Sequence, residues 1–129
     1  MEIGDFVINF DRKKIGQITK VMQENGITFC LEVKILGGNV INLLVEEIGQ
    51  YSDKLIPLLK PGDIVNGYQV RDIIKDQMTN RQKVITDHIL TNWQGDRTIL
   101  QFYEEEIENV MTQEMYKNSC FWTNNKLPL

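Results

Sequence analysis

The side chains able to do chemistry are few and mostly acidic. Glu46-Glu47 and Glu104-Glu105-Glu106, with Glu108 close behind, gather carboxylates into two short blocks. Clustered carboxylates are the material of Mg²⁺ sites and of acid–base pairs. On a strand, Glu104 and Glu106 would share one side while Glu105 faced the other. The competing reading, which is favoured, is a solvated strand end whose charge discourages edge-to-edge pairing. His88 is the only histidine, so a histidine metal site or triad lacks material; it reads as a structural residue in mid-strand. Cys30 and Cys120 lack Cys-x-x-Cys spacing, and either thiol would have only His88 as a base. There is no Gly-x-x-x-x-Gly-Lys loop, and Gly37-Gly38 lacks the following helix that a dinucleotide site needs. The expectation is a protein with no catalytic residues, no metal and no cofactor.

Residues suited to contacting a partner are easier to find. Arg12-Lys13-Lys14, beside Phe10, make a basic tip that could touch phosphate, although three exposed charges on a hairpin more often form a soluble turn. Phe121-Trp122 are adjacent, so on a strand they cannot both face one core, and one is left for a partner or for the neighbouring half of the chain. The 129 residues carry a net charge of -4, with 42% hydrophobic and 25% charged residues. That balance suits a globular chain and argues against coating phosphate backbones, so direct nucleic-acid binding is not expected. No apolar run is long enough to span a bilayer, and the acidic start lacks the basic region of a secretory leader. With two cysteines and no disulfide framework, a reduced, cytoplasmic protein is expected.

The elements that must position these residues are written twice. Gly4-Asp5-Phe6-Val7 recurs 58 residues on as Gly62-Asp63-Ile64-Val65. Residues 40–48 align with residues 99–107, Gly37-Gly38 with Gly95-Asp96, and the possible helix caps Ser52 and Thr112 follow in the same order. Asp5 and Asp63 after their glycines suit local bonds from side chain to backbone better than metal. Each copy reads as β. Asn25-Gly26 is the strongest hairpin signal, and residues 27–36 alternate, with Ile27, Phe29, Leu31, Val33 and Ile35 on one face. Residues 52–59 suit one or two helical turns stopped by Pro57 and Pro61. In the second copy Gly67 marks a bulge or turn, residues 76–81 a polar loop, residues 83–93 a strand, 112–117 a short helix and 119–122 a last strand. The expected fold is mainly β: two tandem small SH3- or Tudor-like barrel modules, residues 1–59 and 60–129, with one or two short helices. Each is too small to be robust alone, so the two should pack together with residues 52–60 as a hinge or cover.

Ile3-Gly4-Asp5-Phe6-Val7, followed by Gly16-Gln17-Ile18, resembles the opening of Tudor-like domains that bind RNA polymerase in bacterial transcription regulators; a first glycine of the usual second element is missing here. Gly62-Asp63-Ile64-Val65-Asn66-Gly67-Tyr68-Gln69-Val70 is similar to a block in short proteins encoded by phages and prophages of low-GC Gram-positive bacteria. Residues 106–116 are similar to the ending of the same proteins. The second resemblance implies an accessory gene of a virus or mobile element. The expected function is therefore a non-enzymatic phage or mobile-element protein that binds and inhibits a host protein or protein–nucleic-acid complex, with a defence system such as a CRISPR nuclease as the target class. Glu104, Glu105, Glu106 and Glu108 would meet its basic groove. One alternative is an adaptor docked on RNA polymerase through a strand edge of the first module. Another is a carboxylate-based enzyme or small-ligand binder with a pocket between modules.

Overall fold

The turn residues set the hairpins. The computed structural model describes residues 1–87, 89–90 and 97–116. Asn25 and Gly26 hold φ of 53° and 79°, as a two-residue hairpin turn requires, and join β2 (Ile15–Glu24) to β3 (Ile27–Ile35). Before them comes β1 (Phe6–Asn9); after them come β4 (Val40–Leu44), a 3-10 turn at Val45–Glu47, and β5 (Ile48–Ser52). They form one antiparallel sheet in the order β4-β3-β2-β1-β5. The second half repeats it. β6 (Ile64–Val65), β7 (Tyr68–Lys75), β8 (Gln82–Thr86), β11 (Gln101–Tyr103), a 3-10 turn at Glu104–Glu106 and β12 (Val110–Met111) give the order β11-β8-β7-β6-β12. A separate pair, β9 (Ile89–Leu90) with β10 (Arg97–Thr98), is inserted between β8 and β11.

The two copies match down to their backbone bonds. Gly4 and Gly62 take φ of 97° and 99°, a region glycine enters freely. The Gly4 N–H donates to the Ile18 carbonyl and the Gly62 N–H to the Val70 carbonyl, both at 2.9 Å. Asp5 Oδ2 accepts the Glu2 N–H at 3.0 Å, and Asp63 Oδ2 accepts the Lys60 N–H at 2.9 Å. The local carboxylate–backbone bonds read for these aspartates are therefore present in both copies. The opening strands are spaced differently in the two: Ile18 lies fourteen residues after Gly4, but Val70 only eight after Gly62. The extra residues lengthen the strands and the loop between β1 and β2.

Several expected elements are corrected. Ser52 is not a helix cap. It ends β5, its hydroxyl accepting the Lys54 N–H at 3.2 Å, and the helical segment shrinks to a 3-10 turn at Ile56–Leu58 because Pro57 sits within it. Thr112 does cap a helical turn, residues 113–116, with Oγ1 accepting the Met115 N–H at 3.3 Å. Ile27 and Phe29 leave the core face: the β2–β3 register shifts between Met22 and Gln23, and the hairpin runs past the end of β4, whose last pair is Cys30 with Leu44. The strand expected over residues 83–93 ends at Thr86, whose hydroxyl donates to the Leu100 carbonyl and accepts the Leu100 N–H. His88, Trp93, Gly95-Asp96 and residues 119–122 lie outside the described residues.

Packing joins the halves. Val7 faces a cluster confined to the first sheet, with Ile18, Leu31, Val33 and Leu43. Its neighbour Ile8 points the other way, into a cluster shared with Ile15, Leu55, Ile56, Leu58, Leu59, Val65, Val70, Val84 and Val110. Residues 55–59 thus cover the second sheet as well as connecting to it. Gly37 seals the seam further: with φ of 80°, it would put any Cβ 2.7 Å from the Asn109 Cβ. Leu55→Ala should cost about 2–5 kcal/mol, the range for emptying a buried leucine site; chemical denaturation measures it, and the loss should be the same whether read from the first or the second sheet.

Candidate functional site

The loop between β1 and β2 decides where the basic tip goes. Asn9 Oδ1 accepts the Lys14 N–H at 2.9 Å and Asp11 Oδ1 accepts the Lys13 N–H at 3.0 Å. Between them Arg12 takes a left-handed φ of 61°, which turns its side chain back onto the protein. Its Nη2 meets Asp63 Oδ2 at 2.6 Å, Nη1 donates to the Leu58 carbonyl at 3.0 Å, and Nε reaches Glu114 Oε1 at 3.2 Å. The Arg12 carbonyl accepts the Thr112 hydroxyl. Asp63 is fully buried; its second oxygen accepts the Gln113 N–H at 2.9 Å. Lys60 adds a cation 3.5 Å from Glu114. Arg12 is therefore not the exposed charge read from the sequence. A guanidinium spreads its donors over three nitrogens in a fixed fork, so it reaches two carboxylates and a carbonyl in different directions, which the single nitrogen of a lysine does not. Lys13 and Lys14 do remain exposed.

The acidic block is likewise committed to bonds within the molecule, although Glu105 and Glu106 lie at its surface. A 3-10 turn replaces the expected strand end, so the alternation of Glu104, Glu105 and Glu106 is lost. Glu104 accepts the backbone N–H groups of Leu55 at 2.5 Å and Ile56 at 3.1 Å, holding the connecting segment. Glu105 pairs with Arg81, and Glu106 Oε1 folds back onto the Tyr103 N–H at 2.9 Å. Glu108 is exposed and borders a groove of about 180 Å³ with Gln17 and Lys34. Phe121 and Trp122 lie outside the described residues.

What surrounds Glu104 and Glu105 is a mixed-charge cleft of about 510 Å³, walled by Ile56, Asn80 and Gln82 and bearing Lys54, Lys75 and Arg81. Arg81 stacks 4.4 Å above the Tyr103 ring, and the Tyr103 hydroxyl donates to Asp76 Oδ2 at 2.9 Å. The hydrogen bond from Arg81 holds Glu105 below the ordinary carboxylate range and raises Arg81 itself. Asp76 is lowered first by the Met78 N–H and then by Tyr103, while the bond to Asp76 raises the Tyr103 phenol. Glu105 and Asp76 are thus held ionised and committed to donors, so neither is poised as a general acid. Among the described residues no three His, Cys, Asp or Glu side chains group to hold a metal. No helix among them is long and apolar enough to cross a membrane. Comparison with protein-family models, curated proteins and solved structures finds no match.

Sequence reasoning missed Glu114, Lys60 and the Asp76–Tyr103–Arg81 cluster. The one available signal was that the basic tip holds an arginine where two lysines follow. Removing Arg12 strands a buried carboxylate, so Arg12→Ala should cost about 3–5 kcal/mol, while Lys13→Ala and Lys14→Ala should stay within about 0.5 kcal/mol; urea denaturation separates them. A raised phenol stabilises the fold below its ordinary value of 10.0 and ceases to as pH rises through the folded value. Ultraviolet titration of the four tyrosines should therefore show Tyr103 ionising late, and Tyr103→Phe should delete a step above pH 10.0.

Proposed function

We propose that the chain is a non-enzymatic interaction protein of a phage or mobile element, which binds a host macromolecule and blocks it. The observation that carries this reading is the β2–β3 hairpin. It extends beyond the end of β4 and presents Ile27 and Phe29 to solvent, 71% and 46% exposed. Apolar side chains held out on a hydrogen-bonded hairpin are partly ordered before a partner covers them, which makes them efficient docking groups. The shared core supports the same reading, since it holds both sheets as one presenting surface.

Each sheet, on this reading, is a small SH3- or Tudor-like module, residues 1–59 and 60–129. In support, the first strand bonds both the second and the fifth, and a 3-10 turn precedes the fifth. The favoured target is a host defence nuclease in the bacterial cytoplasm. The net charge of -4 suits a basic nucleic-acid groove and disfavours binding nucleic acid directly. With Glu104, Glu105 and Glu106 committed internally, Glu46 and Glu108 are the exposed carboxylates left from the two acidic blocks for that attraction.

The test has two arms. Expressing the chain in a host that carries such a nuclease should restore plating of a phage the nuclease restricts. Capture from that host should retain the nuclease, and Ile27→Ser with Phe29→Ser should lower retention by about tenfold or more with an unchanged melting temperature. Retention of RNA polymerase subunits would favour the adaptor reading instead. No protection and no nuclease retained would remove the inhibitor reading.

A further inference from the structure

Each sheet has two edges, and they are treated differently. β12 is two residues long. β5 is interrupted where its register with β1 shifts at Ile8 and Asn9. β11 has three residues and runs at once into Glu104-Glu105-Glu106. Shortness, irregularity and charge are the usual ways of keeping an edge from pairing with another chain. β4 holds the place in the first sheet that β11 holds in the second, and Glu46-Glu47 follow it much as Glu104-Glu105-Glu106 follow β11, but one residue further on, after Val45. β4 itself is five residues long, runs in unbroken register from Lys34↔Val40 to Cys30↔Leu44, and contains no charge and no proline. Val40 and Leu44 lie on its outer side, 53% and 43% exposed, while Ile41 and Leu43 turn inward.

The order of its residues says what fits. Val40-Ile41-Asn42-Leu43-Leu44 reads alike in both directions: a central amide, an inward aliphatic on each side, then an outward one. An antiparallel copy in register about Asn42 would set Asn42 on Asn42, Ile41 on Leu43 and Val40 on Leu44. A one-residue slip would turn the inward pair outward. We propose that β4 pairs with β4 of a second copy of this chain about a two-fold axis through Asn42, joining the two first sheets edge to edge. The contact is isologous and therefore closes at two copies. Two Val40–Leu44 pairs are covered, and the facing amides fix the register. This goes beyond the host-binding reading and does not depend on it: Ile27 and Phe29 precede the paired stretch of β3 and stay free.

Sedimentation of the full chain at about 100 μM should show a dimer. Val40→Lys with Leu44→Lys places lysine opposite lysine and should give a monomer with an unchanged far-ultraviolet spectrum. Val40→Lys with Leu44→Glu places lysine opposite glutamate and should restore the dimer. In a Cys30→Ala, Cys120→Ala background, Asn42→Cys should oxidise to a covalent dimer, because directly opposed residues lie within disulfide reach. Val40→Cys, four residues from its own counterpart, should not. A monomeric wild-type chain, an association that survives the double lysine change, or equal cross-linking by the two cysteines would overturn the proposal. Should the cysteine background fail to fold, sedimentation of the wild type and the charge variants still decides.

Discussion

A single guanidinium holds the seam between the sheets. Asp63 is fully buried at the start of the second sheet, and a buried carboxylate is tolerable only with its lone pairs filled. Its own corner supplies the Lys60 N–H, the helical turn after β12 supplies the Gln113 N–H, and the first sheet supplies Arg12. Arg12 simultaneously ties down the Leu58 carbonyl and Glu114. One charge therefore bonds the second sheet, the connecting segment and the closing helical turn. The ion pair alone is weak evidence for stability, since desolvation offsets much of the attraction. Its consequence is positional: the seam has one arrangement in which the buried carboxylate is satisfied.

The like strand order of the two sheets shows how such a seam is built. Both copies carry the same Gly-Asp corner with the same bonds, but only the first has the longer loop between its first two strands, and that loop carries Arg12. The second copy differs elsewhere, inserting β9 and β10 and shortening its edge strands. The strand plan is shared while turns and edges differ. Loops and edges are where length can change without repacking a core. The common apolar cluster then completes the join, with Ile8 and Ile15 on one side and Val65, Val70, Val84 and Val110 on the other.

Much of this fold was legible in the residues, because it rests on local signals. Gly4-Asp5 and Gly62-Asp63 announced the repeat, and Asn25-Gly26 its hairpin. The carboxylate–backbone bonds of both aspartates, the cap at Thr112 and the covering role of residues 52–60 followed from residue type and position. The site was much less legible. Arg12 reads as a solvated charge until a partner 51 residues away is known. Glu104 reads as a strand end until Leu55 and Ile56 are seen to need acceptors. Ile27 and Phe29 follow the core pattern, and only the register shift and the early end of β4 put them outside. Long-range contacts and strand lengths decide these cases, and neither is encoded in periodicity.

The central claim is that two like sheets share one core and open as one unit. Native-state hydrogen exchange tests it most directly. The amides of Leu31 and Val33 in the first sheet and of Val70 and Val84 in the second should exchange with a common opening free energy equal to that of global unfolding. Protection differing between the two sheets by more than about 2 kcal/mol, with one exchanging while the other stays closed, would contradict it.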